Sequence, residues 1–440
     1  MGEAMESGMH ARLLQWQAAV RLEHGNDLSR LLHAWCQYLG DAGAAVCRMT
    51  LALNTLHPQI QSLRYVWYDD VRDPGPFPSP ALIVRRIHSL DGCTVDEALM
   101  SYGARATEPL RRSPFWALMQ GEVELQDFPL APGGSYPFPI LDDLAAQGCT
   151  HYFAFSLPGL EAQVSLVSRQ PGGFDQAQRE VVAASVPVLA LLLEGPLKEL
   201  VLQTVLECYV GHSPAREIRR GRIRPGAMLD LAGAIWFSDI RDYAMHSQAQ
   251  PSDVFVDNLN AYYECVVKAI HAQGGEVLKF IGDAMLAIFP QKDGDVHARV
   301  GDGAAAGQDA DGAADACVRA LAAVEAATQG LAAEGVAFAH GVGLHVGRFQ
   351  FGNIGSLQRM DFTAIGNEVN VAARIEALCK PYGERLLMSA EFARQCGAPT
   401  REVARVSLRG IAGEYLLHAP ISDISCPEGP PGAPSNEGTR

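Results

Sequence analysis

The chain has 440 residues, enough for two or three domains at the usual ~100–200 residues each. Apolar residues make up 48% and charged ones 19%, and the formal net charge of -15 excludes a general affinity for nucleic acid while leaving room for a nucleotide in a locally basic site. The 10 cysteines form no C-x-x-C pair and the apolar run 181–193 is shorter than the ~20 residues a bilayer asks for, so the expectation is a cytoplasmic chain with no membrane partner.

Residues 11–39 carry an apolar stripe at helical spacing that ends at Gly40-Asp41. Residues 44–53 and 62–68 read as strands around a turn at His57-Pro58, and 68–80, rich in Asp, Pro and Gly, as a loop. A helical patch at 113–118, a loop at 131–137 and a short helix at 140–146 follow. Strands at 149–157 and 162–168 flank Pro158-Gly159, and 176–193 is the closing helix. Helix, strands and helix make residues 1–194 an α+β domain of the kind that cups a small ligand or regulates a partner. In arrangement more than in motif it resembles the GAF or PAS class of sensory domains, and no sensing residue can be named.

Residues 195–227 read as a helical linker: an amphipathic stretch 195–210, a stop at Gly211 to Pro214, and a basic run with Arg216, Arg219, Arg220, Arg222 and Arg224. The next domain, 228–421, opens with an apolar run at 234–242, then a helix at 252–273 and two apolar arms, 277–281 and 284–289, around Gly282-Asp283, a hairpin with an acid at its tip. The segment 291–313 reads as a flexible insertion, 314–332 as a helix, and 336–346 as a strand broken by Gly341 and Gly343 with 349–354 as its neighbour. The tail 422–440 is expected to be disordered.

If the hairpin tip lies beside the end of the first strand, Asp239 and Asp283 converge. Two carboxylates at one point repel unless a cation sits between them, and magnesium bridged to substrate phosphates is the usual solution. A third segment sharpens this: Gly343-Leu344-His345-Val346-Gly347-Arg348-Phe349-Gln350-Phe351-Gly352-Asn353, then Asp361-Phe362-Thr363 and Asn370-Val371-Ala372-Ala373-Arg374. Together the three motifs, over roughly residues 228–417, resemble the catalytic domain of the class III nucleotidyl cyclases, which form cyclic AMP or cyclic GMP.

The resemblance implies a ferredoxin-like catalytic domain that is active only as a homodimer, with two Mg2+ or Mn2+ ions in each of two composite sites. Asp239 and Asp283 match its metal-binding aspartates, with the backbone of Ile240 as a further ligand, and the amides from Arg241 to Ala244, Tyr243 among them, meet the phosphates. Lys279 and Thr363 match the pair that reads the base and favour ATP, in a subgroup that includes bicarbonate-responsive enzymes, so bicarbonate or another small molecule is an expected regulator. Asn370 matches the residue that orients the ribose, Arg374 the one that stabilises charge at the α-phosphate, and Arg348 and Arg409 phosphate-contacting cations. The alternatives are a guanylate cyclase and a noncatalytic nucleotide-binding signalling domain. One departure stands out: Asp242-Tyr243-Ala244 replaces the family's Gly-Phe-Thr, which puts a negative charge beside the triphosphate.

Overall fold

The computed structural model describes residues 2–56, 58, 60–74, 82–102, 108–291, 308–336 and 338–421. His57, residues 75–80 of the expected loop, residues 292–307 of the insertion and the tail 422–440 lie outside them. The chain divides into two compact units, Met1–Cys208 and Tyr209–Arg440.

The first unit runs α1 (Gly2–His24), α2 (Leu28–Asp41), β1 (Arg48–Asn54), β2 (Ile60–Tyr68), β3 (Leu82–Leu90), β4 (Cys93–Ser101), α3 (Glu108–Arg111), α4 (Pro114–Met119), β5 (Leu125–Pro129), α5 (Pro139–Ala146), β6 (His151–Ser156), β7 (Ala162–Ser168) and α6 (Gln176–Val210). Its seven strands form an antiparallel sheet in the order β3-β4-β2-β1-β7-β6-β5. The single helix expected over 11–39 is two helices. Gly25 takes a φ of 58°, and Asp27 caps α2 by accepting from the Arg30 amide. Strands β3 and β4 were not anticipated; Asp91 (φ 45°) and Gly92 (φ 84°) join them in a two-residue turn.

Alternation along the strands separates two faces. Met49, Leu51, Tyr65, Trp67, Val164 and Leu166 share one core with Trp35 of α2 and Leu189 of α6. The break expected after residue 194 does not occur, because α6 runs 35 residues through Pro187 and Pro196. Pro196 denies a helix hydrogen bond to the Leu192 carbonyl, and the Arg21 guanidinium donates to that carbonyl instead at 3.5 Å. Gly195 leaves the room: a Cβ there would lie 2.8 Å from Arg21 Nη2. The apolar run 181–193 ends at Glu194 inside this helix, and among the described residues α6 alone is long and apolar enough to cross a membrane, with half of its most apolar stretch buried in the fold.

The second unit contains α7 (His212–Arg219), β8 (Met228–Ile240), α8 (Tyr243–Ala249), α9 (Ser252–Ala272), β9 (Glu276–Ile281), β10 (Ala284–Pro290), α10 (Gln308–Ala333), β11 (His340–Ser356), β12 (Arg359–Ile365), α11 (Asn367–Cys379), β13 (Leu386–Ser389), α12 (Ala390–Cys396), β14 (Thr400–Ser407) and β15 (Glu414–Pro420). The sheet order is β14-β15-β13-β11-β8-β10-β9, with β12 paired to β11. The β11–β13 pairing is parallel. The basic stretch 216–224 is partly built in: Arg222 pairs with buried Glu217 at 3.1 Å, and the Arg222 carbonyl accepts from Asn353 at 2.6 Å.

Alternate residues again divide the sheet. Ala234, Trp236, Met285, Phe289, Val342 and Leu344 pack in one core with Val266 of α9 and Val324 of α10. On the opposite side Ile235, Leu286 and Ile288 share a core with Ala372 of α11. Gly341 and Gly343 do not break β11, and residues 349–354 are its continuation, paired with β8 and β12, rather than a neighbouring strand. A Cβ on Gly343 would lie 2.4 Å from the Glu376 amide nitrogen and 2.5 Å from the Ala372 carbonyl, so the glycine lets the backbone of α11 rest on the strand.

Candidate active site

Two acids meet where three strands end. Asp239 is the penultimate residue of β8, in register with Ala284 of β10 and Gly341 of β11. Asp283 occupies the two-residue turn between β9 and β10, where Gly282 takes a φ of 66° and its carbonyl accepts from the Tyr263 hydroxyl at 3.2 Å. The two carboxyls come within hydrogen-bond reach of each other. Burial first, then the hydrogen bond and negative charge of Asp283, push Asp239 up to about 6 against the opposing pull of Arg241. Asp239 Oδ1 is buried with no hydrogen-bond partner among the described residues. An orphaned buried acceptor beside a second carboxylate fits a hard divalent cation. Among the described residues no group of three or more His, Cys, Asp or Glu side chains gathers there, so a cation would take its remaining ligands from backbone carbonyl, water or substrate oxygens.

Helix α11 is anchored at two points two turns apart. Glu368 accepts from His345 at 2.6 Å, while the other ring nitrogen of His345 meets the Ser389 hydroxyl at 2.7 Å, and this contact holds the Glu368 carboxyl below its usual range. Glu376, 4% exposed, pairs with Arg241 at 3.5 Å. Burial pushes Glu376 up to about 7, with Arg241 opposing and Asp239 and Asp283 adding to the rise. A Cβ on Gly341 would collide with this pair, 2.0 Å from Arg241 Nη2 and 2.6 Å from Glu376 Oε1. Between the anchors, Asn370 and Arg374 project from the exposed side of α11, and among the described residues neither side chain has a hydrogen bond or ion pair.

Lys279 of β9 reaches β12, where its ammonium pairs with the Asp361 carboxylate. Thr363 lies two residues further along the same strand, hence on the same face, buried with its hydroxyl 3.5 Å from the Ala364 carbonyl. The fold thus brings Lys279 and Thr363 to one wall, and Asp239 and Asp283 to one point. Arg348 is exposed on β11, and Arg409 is exposed in the turn after β14, beside Gly410 (φ 80°).

The side chain of Ile240 is buried, which leaves only its backbone for a ligand role. Tyr243 packs edge-on against Phe255 at 5.3 Å between ring centres. The amide of Arg241 does not face the site as expected: it donates to the Ala339 carbonyl at 2.8 Å. Asp242 is one of two described non-glycine residues with positive φ, at 54°, a conformation that the glycine it replaces adopts without strain. Its added charge is met by Lys380, 2.7 Å away, which lowers the Asp242 carboxyl below its usual range.

Sequence reasoning missed Glu368, Glu376, Asp361 and the side chain of Arg241 as parts of the site. The two glutamates had a readable signal: Glu368, Ala372 and Glu376 share one helical stripe, so acids sit on the face that packs against the sheet. Asp361 had none, because its partner is 82 positions away.

Residues 232–414 match the family model described as the adenylate and guanylate cyclase catalytic domain. Among curated relatives, the terminal-differentiation-specific adenylate cyclase of Dictyostelium discoideum is 34% identical over 158 residues, 35% of this chain and 7% of that protein. The adenylate cyclase of Anabaena cylindrica is 35% identical over 180 residues, 40% of this chain and 33% of that protein. The chain therefore spans a third or less of the length of these relatives. Among solved structures, a bacterial light-regulated adenylyl cyclase aligns over 59% of this chain and 82% of its own at 20% identity and a TM-score of 0.41. The adenylyl cyclase CyaB from P. aeruginosa aligns over 43% and 94% at 24% identity and a TM-score of 0.34.

Proposed function

We propose, taking as premise that residues 232–414 are an adenylate or guanylate cyclase catalytic domain, that this chain converts ATP to 3′,5′-cyclic AMP and pyrophosphate in two sites shared by a homodimer, under control of its first unit. The observation that carries the reading is the convergence of Asp239 and Asp283 around an unsatisfied buried oxygen. Those carboxylates, with the Ile240 carbonyl, would hold two Mg2+ or Mn2+ ions, which supply Lewis-acid activation of the ribose hydroxyl and neutralisation of the departing phosphates.

The remaining work belongs to side chains. The ribose O3′ attacks the α-phosphorus and the bond to pyrophosphate breaks. Asn370 holds the ribose in line, and Arg374 meets the charge that grows on the α-phosphate. Both are exposed and unengaged among the described residues of one chain, as residues completed by a second copy would be. Arg348 and Arg409 bind the outer phosphates, and the amides of Asp242 to Ala244 meet the triphosphate where Lys380 offsets the Asp242 charge.

Specificity comes from donors. Lys279 presents three N–H bonds and no acceptor, which suits an adenine ring nitrogen and leaves the N–H groups of a guanine edge unmet, while the Thr363 hydroxyl accepts from the adenine amine. The Lys279–Asp361 pair aims the ammonium before the base arrives.

Chromatography of reactions containing ATP or GTP with magnesium or manganese tests this directly. Cyclic AMP is the expected product; equal or faster turnover of GTP would reverse the specificity. Mixing Asp239→Ala chains with Arg374→Ala chains is expected to restore one intact site per heterodimer. No recovery after verified mixing would remove the shared site.

A further inference from the structure

The face of the first sheet turned away from its helical core carries a cavity of about 740 Å3, within the ~300–1,000 Å3 typical of small-molecule sites. Strand alternation places Arg48 and Thr50 of β1, Arg64 of β2 and Ser165 of β7 on its floor, with Tyr152 of β6 beside them. A polar row of this kind ordinarily faces water. Here Leu110, Phe115, Met119, Ile140 and Leu144, from α3, α4 and α5, roof it over.

The charges on the floor are unbalanced. Arg85 is already satisfied by Asp96 through two hydrogen bonds of 2.7 and 2.9 Å, and Arg112 at the mouth lies 3.3 Å from Glu108. Asp143 is exposed at the rim. Arg48 and Arg64 lie close enough to repel, and Arg48 Nε is buried without a hydrogen-bond partner among the described residues while its guanidinium lies 5.8 Å from the Tyr68 ring centre. Burial, then the neighbouring Arg48, push the Arg64 guanidinium down to about 10, with Tyr68 and Asp96 opposing. Two cations with three hydroxyls beside them form a donor-rich floor under an apolar roof.

We infer that this cavity binds a small organic anion, its carboxylate or phosphate seated between Arg48 and Arg64 and its apolar body against Phe115 and Met119. The chemistry follows from the lining. Guanidinium forks match both acid groups, hydroxyls donate to the same oxygens, and a buried anion removes the Arg48–Arg64 repulsion. The inference does not depend on the cyclase reading, since it concerns a binding site that lies wholly within the first unit and is read by binding alone.

Calorimetric titration of the full chain with octanoate, octyl phosphate and octanol tests it, the last being a neutral probe with the same alkyl body. At least one anion is expected to bind about tenfold or more tightly than octanol. The order of octanoate and octyl phosphate tells which acid group the floor prefers. Arg48→Met and Arg64→Met, checked for folding by circular dichroism, are each expected to weaken the anion about tenfold while leaving octanol unchanged. Octanol binding as tightly as both anions, or no binding of either anion at about 1 mM, would overturn the inference, and that comparison needs no variant.

Discussion

The two sheets are built alike and finished differently. Each turns one apolar face to long helices and a second face to shorter cover. In the first unit the second face bears arginines, hydroxyls and an amide, and the helices over it have 4, 6 and 8 residues, so long polar side chains prop the roof away from the strands. In the second unit the corresponding face carries Gly341 and Gly343, and a 13-residue helix descends until its backbone touches the strand. Side-chain length at a few alternating positions decides whether a covered sheet encloses a chamber or clamps a helix against its strands.

The comparison breaks most visibly if the clamp is forced apart. Gly343→Val is expected to lower cyclase turnover on the order of a hundredfold, because α11 carries Asn370 and Arg374, and to cost about 1–3 kcal/mol in urea unfolding. A variant with ordinary turnover and stability would mean that close backbone contact is not what positions α11. The matching change on the open face, Ser62→Val at the cavity, is expected to move stability by no more than about 0.5 kcal/mol.

A smaller effect separates the two faces by pH. Glu376, pushed up to about 7, and Asp239, pushed up to about 6, have folded values above their unfolded ones, so the native state holds extra protons. Their contribution to stability is full below about pH 4 and is lost as pH rises through 6 to 7. Urea midpoints of metal-free protein are expected to fall across that window, less steeply for Glu376→Gln. Millimolar magnesium at pH 8 is expected to raise the midpoint, since a cation bound only by the folded state stabilises it. A midpoint that climbs from pH 5 to 7.5 in metal-free protein, or ignores magnesium at pH 8, would contradict the paired-acid description.

The mildest expected change is at Asp361. Removing its charge in Asp361→Asn leaves Lys279 less well aimed, which is expected to raise KM for ATP by about threefold with little change in kcat. Steady-state kinetics would show it, and an unchanged KM would reduce the Lys279–Asp361 pair to a surface contact.

Much of the second unit could be read before any coordinates, and the reasons are local. The Gly282-Asp283 turn lies between two apolar arms, and the stripe on α9 repeats every three or four residues, so neighbours in sequence carry the signal. Two features escaped because their causes are distant. Helix α6 continues past Gly195-Pro196 since Arg21, far along the chain, takes up the stranded carbonyl. Gly341 and Gly343 read as strand breakers because the helix that needs their emptiness comes 30 residues later. The β3–β4 hairpin is different: Asp91-Gly92 is a strong two-residue turn signal, and the alternation beside it was there to be counted.

The left-handed backbone at Asp242 has an evolutionary corollary. A non-glycine residue is less at ease there than glycine, and the aspartate is tethered by Lys380. Aspartate codons become glycine codons by a change at the second base alone, so one transition in the gene can trade the tether for slack. The loop ahead of α8 is accordingly a place where a lineage could retune the proposed grip on a triphosphate in a single mutational step, without disturbing the strand that carries Asp239 or the turn that carries Asp283.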